Sequence, residues 1–284
     1  MNKILVKSGN IVSMDPAIGD LAGADILVED DRIAAVAKNI EVEGADVLDA
    51  SRMIVLPGLI NGHLHTWQTG LRGLAADWTV AQYMQAMHRG LATLYRPDDI
   101  YVGNLLGALN QINNGATTLV DWCHNNPTPD HTDAAIRGLE EAGIRALFLH
   151  GSPKPDPKPG QKHFSEIPMP RSEVARLRKT KFSSDTGLIT FGLAILGPYY
   201  STYDVTCADL ELAREFDLFA SMHAVLRFNA KPGSLLARHR TADGMPLRFL
   251  ALRNNRQRTT YRPGGVSDTL PVLRDWHGMR GLGS

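Results

Sequence analysis

The chain has 284 residues, 43% of them hydrophobic, and its 30 Lys and Arg balance 30 Asp and Glu. That is material for one large domain or two modest ones. No apolar run approaches the roughly 18 residues that span a bilayer, and MNKILVKSGNIV is too short of apolar residues for a signal peptide, so the expected location is cytoplasmic and soluble. Two cysteines, Cys123 and Cys207, exclude a disulfide framework and lack zinc spacing.

Residues 1–52 read as short strands, Ile4–Val6, Ile11–Val12, Asp25–Val28, Arg32–Ala37 and Asp46–Asp49. Polar or Gly-containing breaks such as Ser8-Gly9-Asn10 and Glu29-Asp30-Asp31 separate them. This predicts a small β module. From Met53 onward strands and helices alternate. A strand ends at His63 and His65. Helices follow over about 80–94 and 97–114, the second with Asp98-Asp99 in its first turn, where the helix dipole favours negative charge. Then come a strand at 116–122, a helix at 131–142, a strand at 144–150, a Pro- and Lys-rich loop at 152–170, a helix at 172–181, a strand at 188–196, a helix at 206–216 and a strand at 218–223. Five such steps predict an α/β fold containing part of a (β/α)8 TIM-type barrel, preceded by the β module. A doubly wound sheet is the alternative, weakened in its nucleotide-binding form because no glycine-rich phosphate fingerprint follows a strand.

The chemistry concentrates in Leu56–Gly73, LPGLINGHLHTWQTGLRG. Side chains two apart on an extended segment share a face, so His63 and His65 can reach one point, where a metal ion is the natural occupant. Pro57-Gly58-Leu59-Ile60-Asn61-Gly62-His63-Leu64-His65, followed by Leu71-Arg72-Gly73, resembles the first-strand metal motif of the amidohydrolase superfamily, in its chlorohydrolase and aminohydrolase branch, which includes cytosine and S-adenosylhomocysteine deaminases. The resemblance implies that residues 1–52 are one part of a small β-sandwich domain completed by C-terminal strands, and that residues 53–224 hold barrel strands one to five. It also implies metal ligands from the first-strand pair, from histidines after strands five and six, and from an aspartate after strand eight. His223, closing LFASMH, takes the strand-five place beside His63 and His65. The resemblance implies a single divalent metal, because the fourth strand lacks the lysine that bridges two ions in the family's binuclear branch; Zn2+ is expected first and Fe2+ as substitute.

The activity so implied is metal-activated hydrolysis of a non-peptide carbon–nitrogen bond in a cyclic amidine, amide or aminated heterocycle. Trp67, Gln68, Arg72 and His150 are the expected substrate contacts. Asp121 and His124 are open between a functional and a structural role. His88, His131, His163, His239 and His277 read as surface or loop residues. The deaminases of this branch carry a glutamate three residues past the strand-five histidine; Leu226 stands there in this chain. No catalytic residue is assigned, since the strand-eight aspartate finds no counterpart.

Residues 225–284 depart from the pattern, with 11 Lys and Arg against 3 Asp and Glu, a charge of +8 that offsets −8 in the remainder. Two accounts compete for this tail: a basic nucleic-acid-binding arm, or a change of reading frame near Lys231-Pro232-Gly233, which is favoured. Codons for Asp275–Gly281 can, read one base on, encode Ile-Gly-Met-Gly-Cys-Gly, similar to a stretch between the family's strands six and eight. On that reading the chain is truncated, its five strands leave open edges, and it turns over little or not at all. The competing class is a non-catalytic remnant that binds metal or nucleic acid. The expected partner is a small-molecule substrate, without a membrane; homo-oligomerisation stays open.

Overall fold

The computed structural model describes residues 2–223. The Arg-rich tail at 225–284, its frame change, Leu226, His239 and His277 lie outside the described residues. The chain divides after Leu59 into two compact units.

In the first unit β1 (Lys3–Val12) pairs antiparallel with β2 (Asp20–Glu29), which pairs with β3 (Arg32–Ala37); on its other side β1 runs parallel to β4 (Asp46–Asp49) and, further along, to β5 (Ile54–Val55). Ser8-Gly9-Asn10, expected as a break, is instead an irregularity inside one ten-residue strand. Ser8 turns to φ 63° and gives its N–H to Asp25 at 2.7 Å, while the register against β2 shifts on both sides of Gly9. Gly9 is required by proximity, for a Cβ there would lie 2.7 Å from Val55 Cγ2. The second carboxylate oxygen of Asp25 accepts from Ile40 N–H at 2.9 Å, so one buried side chain ties three segments together.

Ile54–Val55 therefore belongs to the first sheet, and Pro57-Gly58 separates it from β6 (Leu59–Leu64), the strand of the histidine pair. The second unit is a curled half-barrel of five parallel strands in the order β10-β9-β8-β7-β6: β7 is Ala116–Cys123, β8 Arg145–Gly151, β9 Ile189–Ile195 and β10 Phe219–Met222. Helices connect them: α1 (Val80–Tyr83), α2 (Pro97–Asn113), α3 (Pro129–Ala142), α4 (Arg171–Lys179), the short α5 (Gly197–Tyr200) and α6 (Tyr203–Glu215). The helix expected over 80–94 is broken. The capping box of Thr79 and Gln82 starts α1, Met84–His88 widens into a π turn, and Gly90 leaves the helical region before a 3-10 turn at Leu91–Leu94. No helix among the described residues is long and apolar enough to cross a membrane.

Alternation along the strands sorts side chains onto two faces. Leu119 and Cys123 of β7, Ala146 and Phe148 of β8, Phe191, Leu193 and Ile195 of β9, and Ala220 of β10 pack under the helices with Ile136, Leu139, Val174, Leu177 and Leu212. Trp122, Leu149 and Ala194, with Val120, Leu147 and Phe219, form a separate cluster on the inner face. Both cysteines are free thiols, Cys123 buried and Cys207 half-buried.

Asp209 on α6 is a buried carboxylate whose Oδ1 accepts the Met169 N–H at 2.8 Å while Oδ2 meets no partner among the described residues. Burial pushes its pKa from 3.8 up to about 6. A folded-state value above the unfolded one means that the folded protein holds this proton more tightly. The contribution to stability is therefore full below about pH 4 and is lost as pH rises through about 6. Asp209→Asn keeps the acceptor and removes the titration. The variant should gain on the wild type between pH 4 and pH 7 by up to about 3 kcal/mol in urea unfolding; an unchanging difference would show that Asp209 does not titrate in this range.

Candidate metal centre

The half-barrel delivers three imidazoles to one point. Asn61 on β6 accepts the His63 N–H with its side-chain oxygen at 3.1 Å and donates its amide to Gln111 Oε1 at 2.9 Å, fixing the strand end against α2. The strand stops at Leu64, and His65, at φ −95° and ψ 77°, turns the chain into a 3-10 segment, Thr66–Leu71. Leu64 packs with the helix-side core, so His63 and His65 take the inner face. On β10 the same alternation sets Phe219, Ser221 and His223 inward.

His65 Nδ1 lies 2.7 Å from the Trp122 carbonyl oxygen. A carbonyl only accepts, so Nδ1 carries the proton and Nε2 is left as a lone pair. The Nε2 atoms of His63 and His65 are 3.4 Å apart, those of His223 and His63 3.2 Å, and all three ligand atoms fall within 4.8 Å of one another. A tetrahedral ion bound to imidazole nitrogens at about 2.0–2.1 Å sets those nitrogens about 3.3 Å apart. The donor set therefore fits a divalent metal in chemistry, and the His63–His65 and His63–His223 pairs fit it in spacing.

Burial lowers the proton affinity of all three: His63 moderately, His65 well below its ordinary value despite the Trp122 carbonyl, and His223 to about 3. All are neutral at pH 7, the state a metal requires. The Trp122 indole backs the group, its ring 4.3 Å from His223 and 5.5 Å from His65, and its N–H reaches Ser221 Oγ at 3.3 Å.

A second layer lies behind His65. The His124 ring is 4.2 Å from that of His65, and His124 Nδ1 accepts the Trp67 indole N–H at 3.2 Å, which leaves Nε2 as the protonated nitrogen of the neutral ring. His88 stands 4.6 Å from His124, and its pKa is lowered to about 3, chiefly by burial. Lys154, on the segment after β8, is also buried, with its ammonium 5.4 Å from the Trp122 ring. Asp121 faces the other way: its carboxylate, pushed up to about 6 by burial, accepts from Thr66 N–H at 3.2 Å and from Asn104 Nδ2 at 2.9 Å, anchoring the residue after His65.

The expected substrate contacts separate. Trp67 is fully buried and packs on Tyr95. Gln68 is half-buried and donates to Tyr83 Oη at 2.7 Å. Arg72 is exposed at the end of the 3-10 segment. His150 shares the helix-side face of β8 with Ala146 and Phe148, where Glu173 and Arg176 act on it; both ring nitrogens are buried without a partner among the described residues. The structure does not bring His150 to the histidine group, because one step along a strand reverses the face. His88 and His131, read as surface residues, are buried; His131 bonds Thr128 Oγ1 and the Tyr95 carbonyl oxygen. His163 is half-buried. His88, the inward side of His124 and Lys154 escaped sequence reasoning. The one available signal was alternation counted from His63 and Trp122.

The amidohydrolase family profile matches residues 54–236. The chain belongs to the amidohydrolase family. Among relatives, 5'-deoxyadenosine deaminase of Methanosarcina acetivorans is 30% identical over 151 residues, 53% of this chain and 34% of that protein. The 5-methylthioadenosine/S-adenosylhomocysteine deaminase of Pyrococcus abyssi is 29% identical over 203 residues, 72% and 45% of the two chains. The chain thus spans less than half the length of these two relatives. Among solved structures, atrazine chlorohydrolase from Arthrobacter aurescens, complexed with zinc, superimposes with a TM-score of 0.68 at 23% identity, covering 80% of this chain and 54% of that one. An adenosine deaminase from Xanthomonas campestris with bound zinc gives 0.56 at 20% identity, over 78% and 49%. These two likenesses show the fold alone.

The position of the histidine turn depends on a close helix approach. A Cβ on Gly103 of α2 would lie 2.6 Å from the Trp67 carbonyl oxygen. Gly103→Ala should lower stability by about 1–3 kcal/mol through overpacking and change the near-UV circular dichroism of the tryptophans. Wild-type behaviour in both would show that α2 does not set the turn.

Proposed function

We propose that this chain is a metal-dependent hydrolase unit for a carbon–nitrogen bond of a small, cyclic, aminated substrate, with one Zn2+ held by His63, His65 and His223. Fe2+ suits the same donors. The observation that carries the reading is the convergence of three neutral Nε2 atoms at the C-terminal ends of β6 and β10, the end where barrel enzymes keep their chemistry. Family membership supports it, and the relatives named above are deaminases. A bound ion of this kind lowers the pKa of a water to about 7 and so supplies hydroxide at neutral pH.

The chain's own residues do the positioning. The Trp122 carbonyl holds His65 in the tautomer that offers Nε2. Asp121 and Asn104 hold the backbone that follows it. Trp122 offers an aromatic wall beside the three histidines, suited to a flat heterocycle. Residues 1–59 are proposed to be part of the small β domain, and a small molecule is the proposed partner.

A second reading has its own support: among the described residues the metal-ligating group contains histidines alone, with no carboxylate. That favours a chain that binds metal with little turnover. The two readings diverge in one experiment. The full chain, freed of metal and titrated calorimetrically, should bind one equivalent of Zn2+, with His65→Ala or His223→Ala weakening it by about 100-fold or more. The hydrolase reading expects ammonia release from adenosine-type or amino-triazine substrates by the zinc-loaded chain, and the second reading expects zinc binding with release weak or absent. Strong release establishes the hydrolase and removes the second reading, whereas loss of stoichiometric zinc binding removes both.

A further inference from the structure

Lys154 is a buried cation without a counter-charge. Only 4% of the residue is exposed, and among the described residues its ammonium makes no ion pair or hydrogen bond, its contacts being with rings. Its surroundings are aromatic: the Trp122 ring at 5.4 Å and the Tyr200 ring of α5 at 5.9 Å. Two aromatic faces steady an ammonium but replace only part of its hydration, which leaves it able to take an anion. Its neighbours deepen the deficit. The ammonium acts through space on His65, His88, His124 and His223, lowering the proton affinity of each, and these imidazoles are neutral. A divalent ion on the histidines would add charge of the same sign.

The indole of Trp122 fixes the geometry of this arrangement. One edge of its surroundings is the histidine group, with His223 at 4.3 Å, and another is the Lys154 ammonium. The indole thus adjoins both the metal ligands and the cation. Resting on the hydrolase reading above, we infer that Lys154 is the recognition group for an anion, and that the substrate class is a small aromatic ring bearing a carboxylate beside its hydrolysable amino group. A carboxylate is the matching anion because one ammonium offers a single positive charge, whereas phosphate is more often met by planar arginine forks or several backbone N–H groups.

A pair of probes isolates the charge: 4-aminopyrimidine-5-carboxylate and 4-aminopyrimidine-5-carboxamide share ring and amine. Binding to the full chain is followed at pH 6.5 by tryptophan fluorescence and calorimetry, with and without one equivalent of Zn2+. The acid should bind about tenfold tighter than the amide in both states. Lys154→Met should abolish that preference, and Lys154→Arg should retain it. Wild-type protein that binds the acid no better than the amide, or binds neither at millimolar concentration, overturns the inference without reference to any variant. So does a preference that survives in Lys154→Met, which would belong to the metal. A lysine-dependent preference in the metal-free chain sustains it even where Zn2+ fails to bind. Normal zinc binding without the preference defeats this inference alone.

Discussion

The hydrogen bond from His65 Nδ1 to the Trp122 carbonyl is the contact on which the site depends. It joins the end of β6 to β7, and it decides which nitrogen of His65 is free. Without it the imidazole could rotate, or could present a proton where a lone pair is needed. The same residue that supplies the carbonyl also supplies the indole behind the three histidines, and Ser221 ties that indole to the strand carrying His223. Trp122 thus fixes tautomer, wall and strand spacing together, which is why three side chains separated by up to 160 positions bring their ligand atoms within 4.8 Å of one another.

Face selection on the strands explains what each polar residue can do. Inner positions carry His63, Trp122, Ser221 and His223; helix-side positions carry Asp121 and His150. Asp121 and Trp122 are adjacent, yet one grips the Thr66 amide from beneath and the other walls the site. Parallel sheets bury both faces, so hydrophobicity alone does not mark the difference.

That is also why the chain was only partly legible as sequence. The strand order from β6 to β10 could be read because each strand is an apolar run bounded by Gly, Pro or polar residues, whereas the helix expected over 80–94 is broken. His63, His65 and His223 could be grouped because each closes an apolar run. His150 closes one too, but with the opposite parity, and strand ends alone do not reveal parity. His88 and Lys154 lie in segments that read as helix and loop; their burial comes from what folds over them, namely Trp67, His124, Trp122 and Tyr200. Gly9 read as a turn because glycine is permissive, whereas here it marks where Val55 comes close.

The electrostatic character of the site follows from these placements. His63, His65, His88, His124 and His223 cluster about the Trp122 and Trp67 indoles, and burial lowers the proton affinity of each of the five. Desolvation normally discharges a lysine as well, and it draws Lys154 down to about 7, within reach of either form at neutral pH. A metal on the histidines and a protonated Lys154 would repel each other across Trp122. An anion bound between them would favour both charges at once, since its field raises the proton affinity of the lysine while it offsets the charge of the metal. Metal, lysine and ligand are then thermodynamically linked: each binds better when the ligand carries negative charge, and the same ligand rendered neutral loses both contributions. A cluster of neutral donors with one lysine beside it is in this sense selective for charge before it is selective for shape.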